Sequence, residues 1–298
     1  MAARKIILDL DNGLTLPVAD TDDAMTLALA LASPEVDLLG CTCCPGNCRA
    51  WQSAENSLRL LELAGRPDIP VALGRETPLV RDRTPHFAYL DQKAAGPGAR
   101  FWADLPLPPT PHTPPSKLLA HELMIELVRR QPGEITLVMA GALTNLAIAL
   151  LAAPEIAPLI RGVVHMGGGF APKKPGDAPL AWITPDIPDA VWRDVLRFNT
   201  LFDPEASAIV FNSEIPLTLV PVNVTAQVFQ HLEAIKELES CGSAFHDHLL
   251  TYGRPWVAWS MAERRLPGAH MHDPLTLAVL IEPGLCRYRA MHLDVARL

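Results

Sequence analysis

An α/β fold, with a mostly parallel central sheet flanked by helices, is what this chain predicts, and two observations carry that expectation. Short apolar runs of strand length alternate with longer segments of helical period along most of the chain. The strand runs are apolar throughout rather than at every second residue, the mark of strands covered on both faces. At 298 residues and 49% hydrophobic content there is enough apolar surface for a large core. With no internal repeat and no dividing linker, residues 1–298 read as a single open α/β domain.

The elements follow in βαβα order. KIILDL reads as a buried strand and TDDAMTLALALAS as a helix, with Thr21 as its cap and Asp22 and Asp23 in the first turn, where the helix dipole favours negative charge. VDLLGCTC is the next strand, and AWQSAENSLRLLELAG is a helix stopping at Gly65. Three further pairs continue the pattern: SKLLAHELMIELVRRQ with EITLVMAG, LTNLAIALLA with GVVHMGGG, and DPEASAIVFNS with PLTLVPVNV. HLDVARL at the end has the look of another strand. Residues 78 to 115, rich in Pro and Gly, read as a long loop, and residues 171 to 197 as a second excursion with a short helix near its end. Both leave strand ends, where open α/β sheets bind ligands.

The formal net charge of −8 argues against a nucleic-acid binder, which would display a basic field, and points to a small-molecule partner. Asp9 and Asp11 interrupt the first apolar run too early for a signal peptide or a membrane span, so no membrane partner and a cytoplasmic location are expected. Of six cysteines, Cys41, Cys43, Cys44 and Cys48 cluster in CTCCPGNC, without a C-x-x-C and without a second pair at zinc-site distance. Small, reduced, strand-buried thiols are the favoured reading, a thiolate metal cluster the alternative.

Chemistry concentrates in IILDLDNGLTLPVADTDDAM. Asp9 and Asp11 end the first strand, and Asp22 and Asp23 open the next helix, so four carboxylates converge at one sheet edge. They repel one another unless protons or a cation intervene, and hard oxygen donors select Ca²⁺ or Mg²⁺ over zinc. The plainer alternative has Asp22 and Asp23 merely starting a helix while Asp9 is a hydrogen-bonded strand-end acid.

IILDLDNGLTL resembles the D-x-D-x-[TV] signature of the haloacid-dehalogenase-like phosphatases, which would make Asp9 a nucleophile. Asp9, Asp11, Gly13, Asp22 and Asp23 are also similar to the D-x-D-x-G-x-D-D signature of the nucleoside hydrolases, given an insertion after Gly13. The later blocks LASPEVDLLGCTCCPGN, ENSLRLLELAGRPDIPVALG, ITLVMAGALTNLAIAL, VVHMGGGF, FNTLFDPEASAIVF and MHDPLTLAVLIEP resemble the second family, in order.

That resemblance implies an enzyme, a ribonucleoside hydrolase, splitting the N-glycosidic bond of a nucleoside by a Ca²⁺-bound water. It implies Asp11 as metal ligand and general base, Asp23 and Asp273 as metal ligands, and the Ala140 carbonyl as a fourth ligand. Asp22, Asn47 and Asn199 would bind the sugar, His272 would contact the base and protonate or hydrogen-bond it, and Asp9 would support the site from behind. His86 falls near a mobile histidine of the family. Trp256 and Trp259, at helical spacing, divide between core packing and base stacking. A homodimer or homotetramer and a place in purine or pyrimidine salvage are further implications. A homologue that binds nucleoside or ribose without turnover is the alternative.

Several positions depart from the family pattern. Arg197 stands where an acid is usual, Asn223 and Ala226 stand where Asp and His are common, and the excursion with Asp177, Asp186 and Asp189 replaces an expected Asn. Eight residues, Leu14 to Thr21, separate Gly13 from the acid pair where the family has one. The loop must therefore bulge outward if Asp22 and Asp23 are to return to a cation.

Overall fold

The structure, a computed structural model, describes residues 3–169 and 198–295. The first half of the chain runs β1 (Arg4–Leu10), α1 (Asp22–Ala32), β2 (Val36–Cys43), α2 (Ala50–Leu63), β3 (Val71–Leu73), α3 (Thr84–Ala94), α4 (Ala120–Arg130) and β4 (Ile135–Met139). The second half adds α5 (Thr144–Ala152), β5 (Gly162–Met166), α6 (Phe198–Phe202), α7 (Pro204–Phe211), β6 (Leu217–Val220) and α8 (Val222–Thr225). It closes with β7 (Phe229–Gln230), α9 (Leu232–Glu239), α10 (Ala244–Glu263), β8 (Ala269–His270) and α11 (His272–Ile281). Among the described residues no helix is long and apolar enough to cross a membrane.

Six strands form one parallel sheet in the order β3-β2-β1-β4-β5-β6, and β7 and β8 form a small antiparallel pair. Successive side chains of β1 point to opposite faces, which is why every apolar residue of the run is buried. Ile6, Leu8 and Leu10 pack with Ala24 and Leu27 of α1 and Leu58 and Leu61 of α2. Ile7 packs on the other face with Leu137, Met139, Met124, Leu146 and Val210. A fully buried side chain of this size contributes roughly 1.5–3 kcal/mol, so a strand buried on both faces anchors both layers.

The chain winds outward from β1 to β3, then returns to place β4 on the other side of β1. The crevice at this reversal lies at the carboxyl ends of β1 and β4, between two connections that leave in opposite directions. Asp11 follows β1 and Ala140 follows β4, so both sit at this crevice.

Several elements differ from the sequence expectation. Residues 78–115 are not one long loop: Thr84–Ala94 is helical and Pro97–Trp102 forms a 3-10 turn. Pro85 lies in the first turn of α3, where the missing N–H has no partner to lose. The segment before α3 is tied down by the Asp203 carboxylate, which accepts from the Leu79 N–H at 2.8 Å, and by the ion pair between Arg81 and Glu205. β6 stops at Val220 because Pro221 ends the ladder, and VNVT becomes α8 instead of strand. Residues 291–295 form no strand. Thr21 precedes α1, but its buried hydroxyl has no hydrogen-bond partner and makes no cap. Residues 171–197, with Arg197, Asp177, Asp186 and Asp189, lie outside the described residues.

Gly65 ends α2 in the left-handed region, with the Arg66 N–H returning to the Leu61 carbonyl at 2.8 Å. Cys41 and Cys43 lie on β2, and all four clustered cysteines are free and buried. The Cys48 thiol donates to the Asp11 and Asn12 carbonyls.

The insertion after Gly13 does not bulge into solvent. Leu14 is buried in the α1/α2 core and Val18 in a second cluster with Trp102, Trp256 and Trp259, so the loop folds inward at two points. Its neck closes on Gly13, where an added Cβ would meet the Ala19 Cβ at 2.7 Å and the Asp20 carbonyl at 2.8 Å. Val18 takes a positive φ of 59°, a conformation a β-branched residue holds only when its surroundings fix it. Gly13→Ala is expected to lower stability by about 1–3 kcal/mol through this crowding. A urea midpoint equal to wild type would show that the neck yields without cost.

Candidate active site

Residues just past the carboxyl ends of β1, β2, β4 and β5 meet at the crevice: Asp11, Gly46 with Asn47, Ala140 and Gly167. The N-termini of α1 and α11 close it from the side, bringing Asp22, Asp23 and Asp273. Carboxylate oxygens of Asp11, Asp23 and Asp273 lie within 4.8 Å of one another, and among the described residues no other group of acids, histidines or cysteines converges this way.

Direct bonds show that the acid pair returns across the insertion. The Asp11 N–H donates to Asp23 Oδ1 at 3.1 Å, and the Asp273 N–H donates to Asp22 Oδ2 at 3.0 Å. Asp11 is held from its other side by Asn47, whose N–H reaches Oδ2 at 2.8 Å and whose side-chain amide reaches Oδ1 at 3.2 Å. Gly46 lets this turn approach, since a Cβ there would collide with the Asp11 carboxylate. Asn199 donates its amide to the Ala140 carbonyl and to the Met166 carbonyl, fixing the strand-end backbone.

Asp9 is fully buried behind this group, with Oδ2 accepting from the Thr42 hydroxyl at 2.6 Å and from the Asn145 amide at 2.9 Å. Enclosed in this way, it is not available as a nucleophile, so the phosphatase reading of DLDNG fails on geometry. Its carbonyl accepts from the Ala140 N–H at 2.9 Å, which joins the ends of β1 and β4.

Burial pushes Asp11 up from its ordinary 3.8 to about 6, opposed by its hydrogen-bond donors. Burial, and then the neighbouring carboxylates, hold Asp22, Asp23 and Asp273 well above the usual carboxylate range. Asp23 Oδ2 and Asp273 Oδ1 are buried without a hydrogen-bond partner. Crowded acids with orphaned oxygens and all-oxygen donors are the chemistry that a hard divalent cation satisfies, so these residues fit such an ion.

Asp22 and Asp273 line the floor of a cavity of about 500 Å³, and Asp11 and Asp23 stand next to them. Asn47, Met166, Gly167, Phe198 and Asn199 line one wall. Trp256, Trp259, Tyr89, Lys93, Arg264 and His270 line the other. Trp256 and Trp259 do not divide between core and cavity: their rings stack at 4.8 Å and 19°, both buried and both on the wall. His272 stands beside Asp273 with Nδ1 2.7 Å from the Thr225 hydroxyl, its ring stacked on His270 at 4.8 Å. Burial, His270 and Arg264 lower its pKa to about 3, so its ring meets a ligand as a neutral hydrogen-bonding group. His86 also lines the cavity, but its Nε2 is bonded to the Gly46 carbonyl at 2.9 Å and its ring packs between Phe87, Phe198 and Phe202. Burial lowers its pKa to about 4.

Among the cavity residues not singled out from the sequence are Asp20, Tyr89, Lys93, Arg264 and His270. His86, Tyr89, Leu90 and Lys93 stand at i, i+3, i+4 and i+7 of α3, a helical face that the flanking Pro and Gly concealed.

The family model described as inosine-uridine preferring nucleoside hydrolase matches residues 6–297. A protein of Shewanella sp. (strain MR-7) named pyrimidine-specific ribonucleoside hydrolase RihA is 34% identical over 290 residues, covering 95% of this chain and 79% of its own. Uridine nucleosidase 1 of Arabidopsis thaliana is 30% identical, over 96% of this chain and 76% of its own. The solved structure of a purine-preferring ribonucleoside hydrolase from Gardnerella vaginalis superposes with a TM-score of 0.79 at 27% identity, over 98% of this chain and 84% of the other.

A parallel α/β sheet with a buried acid trio at its switch point thus defines a hydrolase-like metal-site architecture. The chain belongs to the inosine-uridine preferring nucleoside hydrolase family and is a ribonucleoside hydrolase.

The raised carboxylates give a signed expectation. A group whose folded pKa exceeds its unfolded value adds stability below the unfolded value and loses it as pH rises through the folded one. Metal-free protein should therefore lose stability between about pH 4 and pH 6 as Asp11 ionises, and above that as its partners follow. Saturating Ca²⁺ should raise Tm more at pH 8 than at pH 5, and Asp273→Asn should reduce the gain. An equal shift at both pH values would count against cation binding by these acids.

Proposed function

We propose that this site hydrolyses the N-glycosidic bond of ribonucleosides to ribose and free base, with Ca²⁺ held by Asp11, Asp23, Asp273 and the Ala140 carbonyl. The observation that carries the reading is the convergence of Asp11, Asp23 and Asp273, the last of which lines a cavity walled by aromatic rings. When bound, the cation supplies a water of lowered pKa and a grip on the ribose diol. Asp11 would take the proton of the attacking water, its carboxylate aimed by the two hydrogen bonds from Asn47. Asp22 accepts from a ribose hydroxyl, and Asn199 and Asn47 bound the sugar's side of the cavity.

The cavity's floor of carboxylates favours the positive charge that grows on the sugar as the bond to the base breaks. Trp256, Trp259 and neutral His272 line the space for the base, the rings giving stacking area and the histidine a hydrogen bond. His86 holds the Gly46 turn and shapes the same wall.

Action on free nucleosides in the cytoplasm, as in base salvage, is part of the same proposal, and the free, buried thiols of Cys41, Cys43, Cys44 and Cys48 fit a reducing compartment. So is a homodimer or homotetramer, which light scattering of the purified protein would measure.

Wild type is expected to release reducing sugar from uridine or inosine in the presence of Ca²⁺ and to stop on chelation. Asp11→Asn should lower kcat by about 10³-fold while keeping the wild-type circular dichroism. Tight nucleoside binding without any product would replace the hydrolase reading with that of a binding protein. Chelation without effect on rate would remove the cation from the mechanism.

A further inference from the structure

Lys93 stands on α3 and lines the same cavity as Asp22 and Asp273. Its Nζ lies 5.1 Å from the centre of the Trp259 ring and 5.4 Å from that of Tyr89, so the ammonium rests on the aromatic wall. Among the described residues no carboxylate lies within salt-bridge distance of it. Arg264 packs over the same indoles, 4.6 Å from Trp256 and 4.5 Å from Trp259, and Asp20 from the inserted loop is the acid acting on both cations.

The same wall carries polar groups with nothing to bind. The Trp256 indole N–H and both ring nitrogens of His270 are buried and without hydrogen-bond partners, although both residues line the cavity. Buried orphans of this kind cost about 1–3 kcal/mol each unless a ligand satisfies them. A donor-rich, cationic, aromatic wall facing a carboxylate floor is complementary to a ligand with a positive sugar end and a flat, electron-rich end. That polarity is the one a glycosidic bond acquires as it breaks.

We infer that Lys93 is the acid that protonates the departing base, resting on the hydrolase reading above. As the bond from the anomeric carbon to the base nitrogen breaks, its electron pair passes to the base. A proton from the Lys93 ammonium neutralises that charge, on a ring nitrogen or on an exocyclic oxygen of the base. The attacking water forms the new carbon–oxygen bond and gives its proton to the Asp11 carboxylate, so ribose and a neutral base result. Solvent then returns the proton from Asp11 to Lys93. Burial and the nearby Arg264 lower the Lys93 pKa to about 7, close to where a proton donor is most effective at neutral pH.

The test compares leaving groups. Uridine and inosine need a proton on the departing base, whereas p-nitrophenyl riboside releases a stable anion. In Ca²⁺-loaded full-length protein, Lys93→Met is expected to lower kcat on uridine and inosine by about 100-fold, the loss shrinking to about three-fold on p-nitrophenyl riboside. Lys93→Arg keeps a cation over Trp259 but does not release its proton at neutral pH, and is expected to show the same split. Equal losses on both kinds of substrate, no loss on either, or wild-type rates in Lys93→Arg would overturn proton donation by Lys93. Wild-type protein inactive on every riboside would overturn the hydrolase reading and this inference with it, whereas an active wild type without the split overturns the inference alone.

Discussion

Mutual repulsion among buried carboxylates is the constraint on which the rest of this structure depends. Charges within 4.8 Å of one another at a partly screened protein site repel by about 3 kcal/mol per pair, and Asp11, Asp23 and Asp273 make three such pairs. A hydrogen bond to a charged group returns about 1.5–3 kcal/mol. Asn47 gives Asp11 two of these, the Asp11 N–H gives Asp23 one, and the orphaned oxygens of Asp23 and Asp273 receive none. The fold supplies part of the compensation and leaves a remainder for protons or a cation. Position at the switch point explains how the acids are held: β1 lies in mid-sheet, packed on both faces, so Asp11 cannot drift away from its neighbours.

The eight-residue insertion bears directly on that constraint, because Asp11 and the Asp22–Asp23 pair lie on its two sides. An open loop would add chain entropy exactly where the acids must be fixed, though that entropy grows only slowly with length. The neck at Gly13 removes the problem by bringing Ala19 and Asp20 back against the start of the loop. What remains, Leu14 to Val18, is spent on packing: Leu14 enters the sheet core and Val18 the tryptophan cluster. The insertion thus becomes a wall of the cavity, and Asp20 at its end faces Arg264 and Lys93.

The sheet and the acids were legible because their signals are local. A continuous apolar run such as KIILDL, followed by paired acids at a helix start, states strand, covered faces and charge crowding within twenty residues. The order of the later blocks then brought Asp273 into the same set. The aromatic wall was not legible in this way. α3 is bracketed by Pro and Gly, which hid the spacing of His86, Tyr89 and Lys93, and its place over the cavity depends on contacts to α7 through Asp203 and Glu205, over a hundred residues away. Asn47 read as a sugar ligand, yet its amide is spent on Asp11, a distinction that depends on how the Gly46 turn lies against β1. The unused Thr21 hydroxyl shows the limit of a capping rule where the preceding Asp20 takes the Thr21 N–H instead.

These two kinds of legibility correspond to two physically different halves of the site. The acid half is built from strand ends and helix starts, its positions locked by a sheet buried on both faces. The aromatic half is built from α3, α10 and the insertion, held by ring stacking and by cations lying on rings. Relatives named for pyrimidine and for purine nucleosides are similar to this chain over nearly its whole length, so discrimination between bases cannot reside in the fold they share. It must reside where side chains can change without moving a carboxylate. Lys93 and the tryptophan pair meet that condition, since none of them is hydrogen-bonded to Asp11, Asp23 or Asp273, whereas Asn47 and Asp22 do not. A short covalent tie between the halves is the stretch from Asp20 to Asp23, which carries the acid facing the cations at one end and an acid of the trio at the other. Change in that stretch should be felt in both halves of the cavity at once.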